Sequence, residues 1–99
     1  MKVQTRAIHF SADQKLVVLI QKKLQKLEQF FDRILGAEVV MKLENSGKVK
    51  DKIMEVRIKV PGSIIITKET HKSFEAAIDT SLSSLKRQLI KHKQRVRRQ

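Results

Sequence analysis

The last fourteen residues of the chain, KRQLIKHKQRVRRQ (residues 86–99), carry seven Lys or Arg side chains and no acidic residue. Lysine and arginine hold phosphate groups through charge-assisted hydrogen bonds, and each such contact with a nucleic acid releases a counterion. One or two cations are enough to stabilise the C-terminal end of a helix through its dipole. Seven exceed that need, so this run predicts a binding surface for a polyanion.

The charge of the whole chain supports the same interpretation. Its 99 residues include 22 Lys or Arg and 10 Asp or Glu, which gives a formal charge of +12. Such a surplus favours nucleic acid as the partner, with an anionic membrane surface as the second choice. A solvated basic helix face normally contains acidic residues that pair at a spacing of four, and residues 86–99 have none.

Catalytic and metal chemistry has little support in the sequence. Cysteine is absent, and His9, His71 and His92 lie far apart at no metal-ligand spacing. The glycines form no phosphate-binding loop, and no serine has a matched base. We therefore expect a protein that is not an enzyme, with no metal, no cofactor and no small-molecule substrate. No apolar run reaches signal-peptide or membrane-span length, which predicts a soluble, cytoplasmic protein.

The N-terminal third predicts a strand followed by a helix. Residues Lys2 to Ile8 are mixed β-formers, and Ser11 with Gln14 fits a capping box at the start of a helix that extends to about Asp32. Gly36 is a plausible helix stop. The apolar stripe of this helix would consist of Val17, Ile20, Leu24, Leu27 and Phe31.

The remaining residues predict three strands and a second helix. The strands are expected at 38–44, 52–60 and 63–70, with turns at 45–48 and at Pro61-Gly62. They form an antiparallel meander whose one face is wet, because residues 54–60 alternate between apolar and charged. Ser73 would cap the second helix, whose stripe would be Phe74, Ile78, Leu82, Leu85, Leu89 and Val96. The predicted fold is α+β in the order β-α-β-β-β-α, with two helices packed on one face of a four-stranded sheet, in a single domain over residues 1–99.

A helical wheel with residues 100° apart arranges the cations in rows. The first helix has a row of Lys15, Lys22, Lys26 and Arg33. The second has Arg87, Lys91 and Arg98 in one row, and Lys86, Lys93 and Arg97 in another on the opposite flank of the apolar stripe. Trp and Tyr are absent, and Phe31 and Phe74 lie on apolar stripes. Recognition of structured RNA through its backbone and shape is therefore favoured over base stacking on an aromatic platform.

Two stretches carry a family resemblance. They are KLEQFFDRI (residues 26–34) and AAID (residues 76–79) followed by RQLIKHK (residues 87–93). In these motifs the chain resembles the ribosome hibernation-promoting factor family, also called ribosome-associated inhibitor or protein Y, over essentially its whole length. The resemblance implies the β-α-β-β-β-α fold, similar to a double-stranded RNA-binding domain. It also implies binding to the small ribosomal subunit and its 16S rRNA, in the channel of mRNA and of the A- and P-site tRNAs, and inhibition of idle ribosomes in stationary phase or stress.

The resemblance also implies which residues contact rRNA. The matching basic positions are Lys23, Lys26, Arg87, Lys91, His92 and Lys93, and the wheel adds Lys22, Arg33, Lys86, Arg95, Arg97 and Arg98. The chain departs from the family at residues 73–75, where SFE stands in place of Asp-Met-Tyr. It resembles the short form, which lacks a C-terminal dimerisation domain, and we expect a monomer off the ribosome. Two alternatives remain at this point: a general double-stranded RNA-binding or RNA-chaperone module, and a peripheral membrane binder.

Overall fold

The computed structural model describes residues 1–46 and 49–97. The two helices and four strands follow one another in the order β-α-β-β-β-α, which confirms the predicted fold. A short 3₁₀ segment extends the first helix. The elements are β1 (Lys2–Ile8), α1 (Gln14–Gln25), the 3₁₀ segment (Lys26–Gln29), β2 (Gly36–Ser46), β3 (Val49–Val60), β4 (Ser63–His71) and α2 (Phe74–Arg97).

The sheet is mixed rather than wholly antiparallel. The strand order is β1-β2-β3-β4; β2, β3 and β4 pair antiparallel, whereas β1 pairs parallel with β2 from Lys2 opposite Gly36 to Ile8 opposite Lys42. The parallel pairing arises because the chain returns through a helix between β1 and β2, and such a crossover brings the second strand back in the same direction. The antiparallel meander predicted for the three later strands is therefore confirmed as β2–β4, and the parallel strand β1 lies at the edge beside β2.

Both helices cover the same face of this sheet. On β3, Met54, Val56 and Ile58 are fully buried, as the alternating pattern predicts. From the helices, the fully buried side chains include Ile20, Leu24, Ile78, Leu85 and Leu89. Each of these side chains contributes roughly 1.5–3 kcal/mol by leaving water, so this layer is the main source of the fold's stability.

Helix α1 begins two residues later than the capping-box pattern predicts. Its N-cap is Asp13, whose carboxylate accepts a hydrogen bond from the backbone N–H of Lys15 at 3.0 Å. The Ser11 prediction was wrong because Asp13 is an equally good cap and lies directly before the apolar stripe, where the carboxylate also meets the positive end of the helix dipole. Ser73, in contrast, caps α2 as predicted, since its hydroxyl accepts from the N–H of Ala76 at 3.1 Å.

The two competing caps can be separated by mutation. We expect Asp13→Ala to lower the free energy of unfolding by about 0.5–2 kcal/mol, because it leaves an N–H of the first turn without a partner. Urea denaturation followed by circular dichroism measures the change. Ser11→Ala is the matched control and should leave the midpoint unchanged; equal losses in both variants would show that Ser11 shares the capping role.

The first helix also ends earlier than expected, with its α-helical part closing at Gln25 and the 3₁₀ segment at Gln29. Helices often tighten in this way at their C-terminal end. Arg33 therefore lies in the loop before β2 rather than on the helix, and the predicted row from Lys15 to Arg33 does not exist as one helical row. Gly36 is not a helix stop either, because it is the first residue of β2.

The turn between β3 and β4 forms where the sequence predicts it. Gly62 has a φ of 79°, as the Pro61-Gly62 turn requires. Residues 47 and 48, at the centre of the other predicted turn, lie outside the described residues. On α2 the buried stripe ends at Leu89, and Val96 is 46% exposed, so its predicted place in the core was wrong. In the described part of the chain, no helix is long and apolar enough to cross a membrane.

Candidate nucleic-acid interface

The candidate interface centres on the crevice between the first helix with its 3₁₀ segment and α2. Two contacts across the crevice show the relative direction of the two segments. Lys23 forms an ion pair with Asp79. Later in both segments, Phe31 and His92 pack edge-to-face with ring centroids 5.5 Å apart. The two segments therefore run parallel, and their C-terminal ends lie at the same end of the molecule. Basic side chains from separate parts of the sequence meet there.

Two open pockets line the crevice. The proximal pocket, of about 200 Å³, is formed by Lys23, Lys26, Leu27, Phe30, Leu82, Ser83 and Lys86. The terminal pocket, of about 220 Å³, is formed by Phe31, Asp32, Arg33, Pro61, His92, Lys93, Val96 and Arg97. Together they contain six Lys or Arg and two phenylalanine side chains. The crevice thus combines phosphate-binding groups with apolar surface.

In the proximal pocket, the basic side chains are partly held by other residues. The ammonium group of Lys86 lies 4.6 Å from the centroid of the Phe30 ring, a cation–π contact that fixes its position over the crevice. Lys23 is half-buried and its charge is offset by Asp79, so it is the least available of the predicted cations. Lys26 is exposed at the start of the 3₁₀ segment.

In the terminal pocket, Arg33 lies close to Lys93 and Arg97 although it was predicted on a different helix row. All three side chains are exposed. Lys93 and Arg97 share a flank of α2, as the helical wheel predicts, and that flank faces the loop that follows the 3₁₀ segment. His92 is half-buried against Phe31, so part of its ring is covered by that contact and the rest borders the pocket.

The other predicted contact residues lie outside the two pockets. Lys22 is exposed on α1, and Arg87, Lys91 and Arg95 are exposed on the outer faces of α2. Arg98, also predicted, lies outside the described residues. In α2 the described residues from 80 to 97 include no Asp or Glu, so these cations have no acidic partner on their own helix.

Two participants escaped the sequence analysis as site residues. The sequence assigned no role at the site to Phe30 or to Asp79. Asp79 in fact pairs with Lys23, fifty-six positions away in the chain. A salt bridge between helices leaves no local signal, but the adjacent pair Phe30-Phe31 was a clue, because two neighbouring helix positions point about 100° apart and cannot both lie at the centre of one apolar stripe.

The uncovered face of the sheet differs from the crevice. It presents Lys2, Arg6, Lys42, Arg57, Lys59 and Lys68, and acidic Glu38 and Glu55 lie among them. Arg57 contacts Glu55 at 3.2 Å, and Lys68 lies directly opposite Glu55 in the β3–β4 register. The basic field is therefore less uniform here than along the end of α2.

The arrangement of cations is suited to binding phosphate. Among residues 1–46 and 49–97, no three His, Asp or Glu side chains come together as a metal site would require. The apolar stripe of α2 is used by the core, with Leu85 and Leu89 fully buried, and so is not available for insertion into lipid. What the crevice offers is a cluster of Lys and Arg groups on a rigid scaffold.

Comparison with known sequences gives consistent matches. Residues 3–97 match the family described as Sigma 54 modulation protein / S30EA ribosomal protein. The chain is 34% identical to the ribosome hibernation promoting factor of Pseudomonas putida over 95 residues, which are 96% of this chain and 89% of that protein. It is 40% identical to the factor of the same name from Azotobacter vinelandii over 76 residues, covering 77% of this chain and 67% of the relative.

Solved structures share the fold at full length. A ribosomal subunit interface protein from Coxiella burnetii superposes with a TM-score of 0.82 at 25% identity, covering 94% of this chain and 98% of the other. The N-terminal domain of protein Y from Thermus thermophilus gives a TM-score of 0.80 at 25% identity, covering 93% and 99%. These two proteins therefore share the arrangement of two helices on a four-stranded sheet.

Proposed function

Because the chain belongs to the family of Sigma 54 modulation proteins and S30EA ribosomal proteins, we propose that it is a ribosome hibernation factor which binds the small ribosomal subunit and inhibits translation by idle ribosomes. Its contact would be with 16S rRNA, in the channel that mRNA and the A- and P-site tRNAs otherwise occupy. The protein acts by binding and not as an enzyme. Off the ribosome it is a cytoplasmic monomer.

The observation that carries this proposal is the convergence of cations from three chain segments on one crevice. Lys26 comes from the 3₁₀ segment, Arg33 from the following loop, and Lys86, Lys93 and Arg97 from α2. A folded RNA presents phosphates at irregular spacings on a curved surface, which suits cations from separate segments better than a single row. The self-repulsion of this cluster is relieved when phosphates neutralise it.

The mechanism is steric exclusion by a rigid domain. Phosphate contacts fix the position and orientation of a protein on RNA without reading its sequence. The helices that carry the cations are anchored in the core, α1 through Leu24 and α2 through Leu85 and Leu89, so the binding surface is formed before contact and little ordering entropy opposes binding. A domain held in this way occupies the space that mRNA and tRNA need, and no chemical step is required.

The predicted contact residues have distinct parts in this proposal. Exposed cations on α2 and around the terminal pocket supply phosphate contacts: Arg33, Lys86, Arg87, Lys91, Lys93, Arg95 and Arg97. Lys22 and Lys26 add contacts from the first helix and the 3₁₀ segment. Lys23 is assigned a smaller share, because Asp79 already neutralises it and binding would have to break or tolerate that pair.

Co-sedimentation of the purified protein with ribosomes and separated subunits, across a salt series, tests the proposal. We expect saturable binding at about one copy per small subunit, an affinity that falls linearly with salt on a log–log plot, and competition by mRNA with tRNA. A messenger and a tRNA bound in advance should each reduce binding, since both occupy the proposed channel.

Two results would contradict the proposal. Unsaturable binding matched by any RNA duplex, and indifferent to mRNA and tRNA, would indicate a general double-stranded RNA-binding module. Saturable binding to the large subunit alone would place the protein elsewhere on the ribosome. An in vitro translation assay run in parallel should show inhibition only at protein concentrations that saturate the small subunit.

A further inference from the structure

The terminal pocket has a composition that phosphate binding alone does not explain. Its lining includes Pro61, Val96 and His92 together with the buried Phe31. Val96 continues the apolar stripe of α2 beyond the end of the sheet layer and remains 46% exposed. A cation row that only contacted phosphates would not need this apolar surface among its charges.

The size of the pocket restricts what can fill it. A volume of about 220 Å³ is below the roughly 300–1,000 Å³ of sites for drug-sized ligands and cofactors. An occupant of this pocket should therefore be about the size of a single planar ring system.

The charges around the pocket indicate what such a ring carries. Arg33, Lys93 and Arg97 line the pocket, and among the described residues Asp32 is its one acidic lining residue. Three cations against one carboxylate favour an anionic ligand, while Asp32 can accept a hydrogen bond from an exocyclic amino group. A planar aromatic ring with polar edge groups and a phosphate is the chemical description of a nucleotide.

We infer that the terminal pocket binds one unstacked nucleotide of single-stranded RNA, with its base against Val96, Pro61 and His92. Its phosphate lies among Arg33, Lys93 and Arg97. Bases splayed out of loops and bulges are held by proteins in this way, through stacking or apolar contact beside backbone cations. A continuous duplex has no such base to offer. The inference deepens the proposed function and rests on it, since RNA is the ligand in both.

A direct test compares RNA hexamers that have equal charge and differ only in their bases. The probes are fluorescently labelled hexauridylate, hexaadenylate and an abasic ribose-phosphate hexamer, measured by anisotropy with the full chain at low salt. We expect the base-containing hexamers to bind at least about fivefold more tightly than the abasic one, the lower end of a stacking contribution. Equal affinity for all three would overturn the inference, because charge alone would then account for binding.

Variants of pocket residues test whether the pocket causes the preference for base-containing hexamers. His92→Ala and Val96→Asn should remove most of the difference between base-containing and abasic hexamers, and Ile90→Ala should not, because Ile90 is exposed to a similar degree on the same helix but outside the pocket. Val96→Asn should leave the fold intact, because Val96 is not in the core. Circular dichroism verifies each fold. A preference that survives in both pocket variants would place the base elsewhere and contradict the inference.

The salt dependence separates base contact from phosphate contact. His92→Ala should weaken binding to small subunits about fivefold or more while the slope of log affinity against log salt stays the same. Lys93→Ala should lower that slope by about one. If the wild-type chain does not sediment with ribosomes but still prefers base-containing hexamers, the proposed function fails and the nucleotide pocket stands. If the wild-type chain sediments with ribosomes but shows no base preference, the pocket fails and the proposed function stands.

Discussion

Replacing Arg87, Lys91 and Lys93 together by Glu is expected to abolish binding to the small ribosomal subunit. All three side chains are exposed, and they cover two flanks of α2. Hydrogen bonds to charged groups contribute about 1.5–3 kcal/mol each, so loss of three predicts a fall in affinity of more than about a thousandfold, to which repulsion of the phosphates by the new carboxylates adds. Co-sedimentation at moderate salt measures the loss.

A matched control separates the location of the charge from its amount. Each Lys-to-Glu or Arg-to-Glu change alters the charge by two, so the triple variant lowers the formal charge from +12 to +6. Replacing Lys2, Lys42 and Lys59 by Glu causes the same change on the uncovered face of the sheet, where all three are exposed. We expect this variant to retain binding within about tenfold, because only long-range attraction is lost and salt screens it.

The outcome decides which surface faces RNA. Retained binding in the α2 variant, with loss in the sheet variant, would move the interface to the uncovered sheet face. Equal losses would indicate non-specific attraction without a defined surface. Both variants should remain folded, because all six side chains are exposed. Of the new carboxylates on α2, only the one at position 93 lies near the C-terminal end of the helix, where it opposes the helix dipole and lowers stability by roughly 0.3–1 kcal/mol.

Much of the fold could be predicted because its signals are local. Alternation from Met54 to Val60 placed one face of β3 in the core, and the stripe from Phe74 to Leu89 set the phase of α2. The turn at Gly62 followed from its sequence as well. In each case the period or the turn chemistry depends on neighbouring residues alone.

Helix limits were predicted less well because they depend on competition. Ser11 and Asp13 both qualify as caps, and the choice between them rests on where the helix packs against the sheet. At the other end, the polar and aromatic residues 28–33 fit a helical pattern, but the chain leaves the helix at Gln29 to enter β2 at Gly36. Arg33 was assigned to a helix row for that reason.

The candidate site also has features that the local sequence predicts and features that it does not. The wheel correctly grouped Lys93 with Arg97, since both lie on one helix, but it contained no information on what that flank faces. The approach of Arg33 to this flank, the Lys23–Asp79 pair and the exposure of Val96 all follow from the packing of two segments far apart in the chain. These features depend on tertiary contacts, and no local periodicity of the sequence indicates them.

The largest effect on stability is expected from Leu85→Asp. Leu85 is a fully buried residue of α2 in the hydrophobic core. Truncating a buried leucine costs about 2–5 kcal/mol through lost contacts and the cavity that remains. An unpaired carboxylate at the same place adds the cost of burying a charge or of protonating it. Together these exceed much of the roughly 5–15 kcal/mol by which a domain of this size is stable, so the variant should be unfolded at room temperature.

Two substitutions on the same helix provide controls, and all three variants can be compared by far-UV circular dichroism and urea titration. Leu85→Met keeps volume and apolarity and should lower the free energy of unfolding by less than about 1.5 kcal/mol. Ile90→Asp introduces the same carboxylate at a position that is 38% exposed, and should remain folded because water and the neighbouring Lys86 and Lys91 can solvate it. If Leu85→Asp is folded while Ile90→Asp is not, α2 must present the opposite face to the sheet. The terminal pocket, whose walls depend on that phase, would then be absent as well.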